Sequence, residues 1–62
     1  LSHEGEEGGV IMQGEVELTV GDKVRVLGPG DAYYFESKIP HRFRNVGKLD
    51  VILVSANTPA TF

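Results

Sequence analysis

The chain has 62 residues, and at that length folding buries only about 60% of the surface that the unfolded chain exposes, so one small domain is the most it can form. It has no cysteine, which excludes a disulfide, and its apolar run at residues 51–54 is far shorter than the roughly 20 residues of a membrane-spanning helix. The formal net charge of −3 argues against a domain that reads nucleic acid by itself, because such domains present a basic face.

Glycine and proline interrupt the chain every few residues, and the segments between them alternate apolar and polar side chains, which is typical of strands. In residues 15–20, for example, Val16, Leu18 and Val20 share one side and polar residues share the other. Residues 57–61 are expected to form an irregular tail. The pattern predicts five or six strands, from the segments 8–13, 15–20, 23–26, 32–35, 41–45 and 49–55. Short strands separated by tight turns predict an all-β sandwich or barrel.

Three connections between these strands carry specific expectations. Gly14 is expected to permit a tight turn or a close approach of two backbones. After the second strand, a three-residue loop at residues 21–23 would place Val24 and Val26 on the apolar side, so we expect it in preference to a two-residue loop. Residues 28–31, with the sequence Gly-Pro-Gly-Asp, give the strongest turn signal in the chain.

The two histidines and a nearby acid are candidates for a metal site. Neutral imidazole and carboxylate are ligands that divalent zinc, iron, manganese and nickel accept. His3 is separated by three residues from Glu7, and His41 lies far along the chain. Such spacings also arise by chance, and the plainer alternative makes both histidines half-buried strand residues bonded to backbone carbonyls.

Two groups of residues have the spacing of a pair of family motifs: His3, Glu7 and Gly14 in the first, and Gly30, Asp31, His41 and Asn45 in the second. By these residues the chain resembles the cupin family over nearly its whole length. It is most similar in character to the small cupin domain that follows a helix-turn-helix domain in many bacterial transcriptional regulators.

The resemblance implies a truncated jelly-roll β-barrel, with residues 1–62 forming one cupin domain. It also implies that His3, Glu7 and His41 converge to hold a divalent transition metal. The chain departs from the family pattern at Leu1, where the first motif usually has a further histidine. It departs again at residues 36–38, which replace the Pro-x-Gly of the second motif.

A ligand pocket is expected beside the metal site. If His41 faces the interior of the barrel, the alternation of a strand turns Phe43 and Asn45 to the same side. We expect Ile11 and Tyr33 to complete the pocket. Phe43 as plain core and Asn45 as a turn residue are the structural alternatives. Of the two adjacent tyrosines, one should be buried with its hydroxyl hydrogen-bonded.

The leading hypothesis for function is an effector-sensing and dimerisation domain of a DNA-binding regulator, with a small molecule bound in the barrel, directly or through a metal. DNA would be contacted only by a domain outside this chain, and a homodimer would cover the unpaired strand edges. A small metal-dependent enzyme of isomerase or dioxygenase type is the alternative, and a bare dimerisation module is the third. Because the chain begins at Leu1, we expect a piece of a longer protein. The resemblance implies that this protein is bacterial, and the short apolar run leads us to expect a cytoplasmic protein that does not contact membranes.

Overall fold

A computed structural model describes residues 5–58, which form six strands and no helix. The strands are β1 (Glu6–Gln13), β2 (Val16–Val20), β3 (Lys23–Leu27), β4 (Ala32–Glu36), β5 (His41–Asn45) and β6 (Ile52–Thr58). They pair antiparallel in two three-stranded sheets, with the orders β4-β1-β6 and β3-β2-β5. The predicted all-β fold is confirmed. The expected irregular tail is wrong for residues 57 and 58, which continue β6, and the rest of that tail lies outside the described residues.

The core lies between β1 and β2, which face each other from the two sheets. The short connection through Gly14 carries the chain from one sheet to the other, so the end of β1 and the start of β2 both face inward. Ile11 and Val16 are fully buried there. Six hydrophobic side chains form the buried core of the described residues: Ile11, Val16, Leu18, Leu27, Tyr33 and Phe35. Because the core is so small, a substitution at any one of these residues should lower the stability of the fold noticeably.

Gly14 has both properties that the sequence indicated. Its φ is +87°, which a residue with a side chain rarely adopts. A Cβ at this position would lie 2.9 Å from the carbonyl oxygen of Asp50. The side-chain amide Nε2 of Gln13 donates a hydrogen bond to the same carbonyl at 3.0 Å. The β1–β2 connection therefore fits closely against the segment that leads into β6.

The loop between β2 and β3 has two residues, Gly21 and Asp22, because Val20 pairs directly with Lys23. The expected three-residue loop is therefore wrong. Gly21 has a φ of +61°, the positive value that a type II′ turn requires at its first central position. That turn has the backbone twist of a β-hairpin, so the local geometry of the glycine decides the register.

With a two-residue loop, the two faces of β3 are exchanged compared with the expectation. Val24 and Val26 face outward and are 58% and 60% exposed. Lys23 and Arg25 instead pair with inward-facing residues of β2 and share their side of the sheet. The third strand thus presents two cations toward the space between the sheets.

The turn at residues 28–31 forms as predicted and joins the two sheets at one edge. The backbone nitrogen of Asp31 donates to the carbonyl of Gly28 at 3.0 Å, and the Asp31 carboxylate accepts a hydrogen bond from the Gly28 nitrogen at 2.8 Å. Gly30 has a φ of +88°, as the third residue of a type II turn requires. Its nitrogen also donates to the carbonyl of Ile11, which holds β4 in place beside β1.

Candidate functional site

The inner face of β5 carries the side chains that the sequence placed together. His41, Phe43 and Asn45 pair with the inward-facing apolar residues of β2, so all three lie on the side that faces the other sheet. The intervening arginines of β5 face outward, and one of them, Arg44, forms an exposed salt bridge with Glu17 at 3.3 Å. The basic stretch of β5 is therefore a solvated outer face.

His41 and Glu7 meet across the gap between the sheets. The imidazole Nε2 lies 3.6 Å from the carboxylate Oε1, and the two side chains are only 28% and 17% exposed. The other ring nitrogen, Nδ1, donates a hydrogen bond to the carbonyl oxygen of Ile39 at 2.8 Å. A carbonyl only accepts, so this bond places the proton of a neutral imidazole on Nδ1 and directs the Nε2 lone pair toward Glu7.

The arrangement of His41 is the one commonly found in metal-binding histidines, whose second nitrogen is fixed by a carbonyl or carboxylate. It also satisfies the plainer expectation of a strand histidine bonded to a backbone carbonyl. Residues 5–58 contain no group of three histidine, cysteine or acidic side chains able to hold a metal. Glu7 and His41 are two of the three predicted ligands, and His3 lies outside the described residues. Two donors alone do not make a metal centre.

Tyr33 contributes an unsatisfied polar group beside this pair. The side chain is 9% exposed, and its ring contacts that of Phe43 edge-on, with centroids 5.3 Å apart. Within residues 5–58 the buried hydroxyl has no hydrogen bond of good geometry, so the expected partner is not found in this range and the expectation stays a prediction. Burial and the negative charge of Glu7 raise the pKa of Tyr33, and the nearby Ser55 hydroxyl partly offsets the rise.

Gly9 explains how the Tyr33 side chain reaches this position. A Cβ on Gly9 would lie 2.5 Å from the Tyr33 hydroxyl oxygen and 2.5 Å from the carbonyl oxygen of Val54. The bare backbone of β1 therefore lets the phenol lie across the strand toward β6, where Ser55 is the cross-strand partner of Gly9. The sequence analysis missed both Gly9 and Ser55. The Gly8-Gly9 pair inside a predicted strand was the available signal, because a strand glycine often marks a close approach.

The remaining predicted pocket residues have different surroundings. Phe43 is 36% exposed and lies on the same face of β5 as His41. Ile11 is completely enclosed in the core. The Asn45 amide serves the turn after β5, donating to the carbonyl of Leu49 and accepting from the nitrogen of Gly47, each at 2.9 Å. The structure thus brings together Glu7, His41, Phe43 and Tyr33, which we name the His41 site.

The ring of Phe35 forms the wall of the His41 site. Its centroid lies 4.6 Å from that of His41, at an interplanar angle of 47°. Phe35 is itself buried and stacks with Tyr33 at 5.8 Å. The site can therefore offer a ligand an acid, an imidazole nitrogen, a phenol hydroxyl and an aromatic wall.

Comparison with known proteins identifies the family. Residues 1–57 match the cupin domain family. The chain is 37% identical over 62 residues to the HTH-type transcriptional regulator PuuR of Escherichia coli (strain K12) and to that of Shigella flexneri. Each alignment covers 100% of this chain but only 34% of the relative, so the chain spans about a third of those proteins. No solved structure matches.

Within residues 5–58 there is no helix long and apolar enough to cross a membrane. By its fold and its matched sequence, the chain belongs to the cupin family.

Proposed function

We propose that this cupin domain senses a small-molecule effector for a DNA-binding transcriptional regulator. The observation that carries the proposal is the 37% identity, along the whole chain, to a relative named as an HTH-type regulator. The domain itself has a formal charge of −3, which suits a sensing part better than a DNA-reading part. DNA is bound by another domain, and the protein works in the bacterial cytoplasm.

The His41 site is the proposed effector site. The Nε2 of His41 lies 3.6 Å from the Glu7 carboxylate, and the buried Tyr33 hydroxyl beside them lacks a partner in the described part of the chain. Buried polar groups without partners favour a ligand that supplies the missing hydrogen bonds. An effector that binds two arrangements of the protein with different affinity shifts the population between them, which is how occupancy would reach the DNA-binding part.

The test uses the full-length protein and a panel of small metabolites in thermal-shift measurements. Compounds that raise the melting temperature are retested on His41→Ala and Phe43→Ala, with Arg42→Ala as the matched control. Arg42 lies between the other two on β5 but faces outward. We expect both site variants to lose the shift and the control to keep it. Equal shifts in all three variants would contradict the proposed site, and a parent gene without a DNA-binding domain would contradict the proposed function.

A metal-dependent enzyme is the second candidate, and the orientation of His41 favours it. With His3, the pair Glu7 and His41 would complete a three-ligand set that leaves positions open for substrate. Elemental analysis of protein purified at pH 7.5 without chelators or an affinity metal tests this. About one zinc, iron, manganese or nickel per chain supports a resident metal, while less than about 0.1 per chain argues against it.

A homodimer is the proposed assembly, formed through the outer face of the β4-β1-β6 sheet. Tyr34 and Val54 lie on that face and are 68% and 60% exposed, and Ile52 nearby is 51% exposed. A second copy would bury these side chains against their own counterparts, which adds apolar contact to a small core. Val54→Lys should shift light scattering from dimer to monomer, while Val24→Lys, equally exposed on the other sheet, should not. Identical masses for the two variants would refute this interface.

A further inference from the structure

A cavity at one open edge of the two sheets differs in its charge from the His41 site. A cavity of about 670 Å³ lies between β3 and β4. Its apolar lining comes from both sheets and includes Leu18, Val20, Leu27, Phe35 and Ile39. This volume falls in the ordinary range for small-molecule sites, roughly 300–1,000 Å³. We name it the β3–β4 cavity.

The inward-facing charges of this cavity are both positive. Lys23 and Arg25 line it, because the β2–β3 register turns them to the inner side of the sheet. Glu36 also borders the cavity, but it alternates with the inward-facing Phe35 and forms a salt bridge with Lys38 at 3.9 Å. The other acid on the border, Asp22, belongs to the β2–β3 turn. Neither Lys23 nor Arg25 forms a salt bridge or hydrogen bond with another residue of the described range.

Lys23 and Arg25 remain exposed to solvent, and the register that turns them inward leaves the valines of the same strand unburied. The same strand carries Val24 and Val26, and both remain more than half exposed on the outer face. Burying the valines instead would stabilise the fold, because it would remove apolar surface from water. A strand that exposes its valines and turns its cations inward departs from the ordinary pattern, and such departures concentrate at functional positions.

We propose that the β3–β4 cavity binds the carboxylate of a small organic acid whose aliphatic or aromatic body packs on the apolar lining. Arg25 forms the paired hydrogen bonds that a planar guanidinium makes with a carboxylate, and Lys23 adds a second positive charge. Phe35 and Ile39 contact the body of the acid. This inference rests on the proposed effector-sensing function and adds to it a second ligand site, apart from the His41 site, whose ligand is an organic acid.

The test measures binding to the purified full-length protein by calorimetry, with benzoate and hexanoate as acids and benzamide as the neutral counterpart of benzoate. Inorganic phosphate is included to separate carboxylate recognition from general anion binding. Variants are Arg25→Gln and Lys23→Gln, with Arg42→Gln as the control because Arg42 is a strand arginine on the outer face. Circular dichroism confirms that each variant is folded before binding is measured.

At least one of the acids should bind, and benzamide and phosphate should not. Arg25→Gln should weaken that binding at least about tenfold, as expected for a lost hydrogen bond to a charged group, and Arg42→Gln should leave it unchanged. Equal binding of benzoate and benzamide, equal effects of Arg25→Gln and Arg42→Gln, or no binding of either acid would overturn the inference. If neither acid binds while His41→Ala abolishes the binding of another effector, the inference fails and the proposed sensing function stands.

Discussion

The close approach at Gly9 gives the sharpest test of how the interior is built, by the substitution Gly9→Ala. The added Cβ would lie 2.5 Å from both the Tyr33 hydroxyl oxygen and the Val54 carbonyl oxygen, whereas ordinary contact begins near 3.4 Å. The gap must therefore open by about 1 Å. Overpacking of this kind costs about 1–3 kcal/mol, and the stiffer backbone of alanine returns about 0.5–1 kcal/mol. Because one of the two contacts is with a backbone carbonyl, which cannot move aside like a side chain, the cost lies in the upper part of that range and we expect a net loss of about 1–2 kcal/mol.

For a domain of this size, that loss lowers the melting temperature by about 4–16 °C, since 1 kcal/mol corresponds to about 4–8 °C. The assay is thermal unfolding followed by circular dichroism. The matched control is Gly8→Ala in the same strand, whose Cβ would lie 3.4 Å from the Tyr33 carbonyl oxygen and 3.5 Å from the ring of Tyr34, both ordinary contacts. If the two variants melt at the same temperature, the phenol does not lie across β1 as described.

Three further predictions follow from single contacts. Tyr33→Phe should stabilise the fold by about 1 kcal/mol, because it removes a buried hydroxyl without a partner in the described range; urea titration measures this, and a loss of stability would mean that the hydroxyl is bonded. Burial raises the pKa of Tyr33 in the folded state, so the free energy of unfolding is unaffected by the ionisation of this tyrosine below a pH of about 10 and falls as the pH rises above that. Tyr33→Phe should therefore lessen the loss of stability between pH 9 and 11, and an unchanged loss would contradict the prediction. Gly30→Ala should cost about 1–2 kcal/mol through its φ of +88° alone, since nothing lies within 4 Å of its Cβ position, while Gly28→Ala, equally open but without a positive φ, should cost nothing measurable by urea unfolding.

Much of the fold could be predicted because alternation and turn residues are local signals. The six strands, the turn at residues 28–31 and the role of Gly14 all follow from residues close together in the chain. The register of β3 could not be obtained in the same way. Two local preferences compete there, burial of Val24 against the type II′ turn at Gly21, and alternation does not say which is stronger. The structure shows that the turn prevails.

Only the part of the candidate site that depends on the alternation of side chains along a strand, or on the family motifs, could be predicted. Alternation placed His41 and Phe43 on one face, and the family motifs supplied Glu7, but neither could predict that the phenol of Tyr33 crosses β1. That depends on the missing Cβ of Gly9 and on which strand lies beyond it, and both are properties of the packed sheets. Asn45 shows the opposite case, since its amide is committed to the following turn although its position in the strand is inward.

Phe35 connects the two polar ends of the barrel interior. Its ring contacts His41 on β5 and also lines the β3–β4 cavity. Because interiors are closely packed, a molecule bound in the β3–β4 cavity against this ring would restrict the imidazole of His41, which the ring also contacts. Phe35→Leu keeps an apolar side chain but removes the flat ring, so it should weaken binding in the β3–β4 cavity and at the His41 site about equally. A variant that weakens binding at only one end would show that the two sites are independent and that the ring is a partition between them.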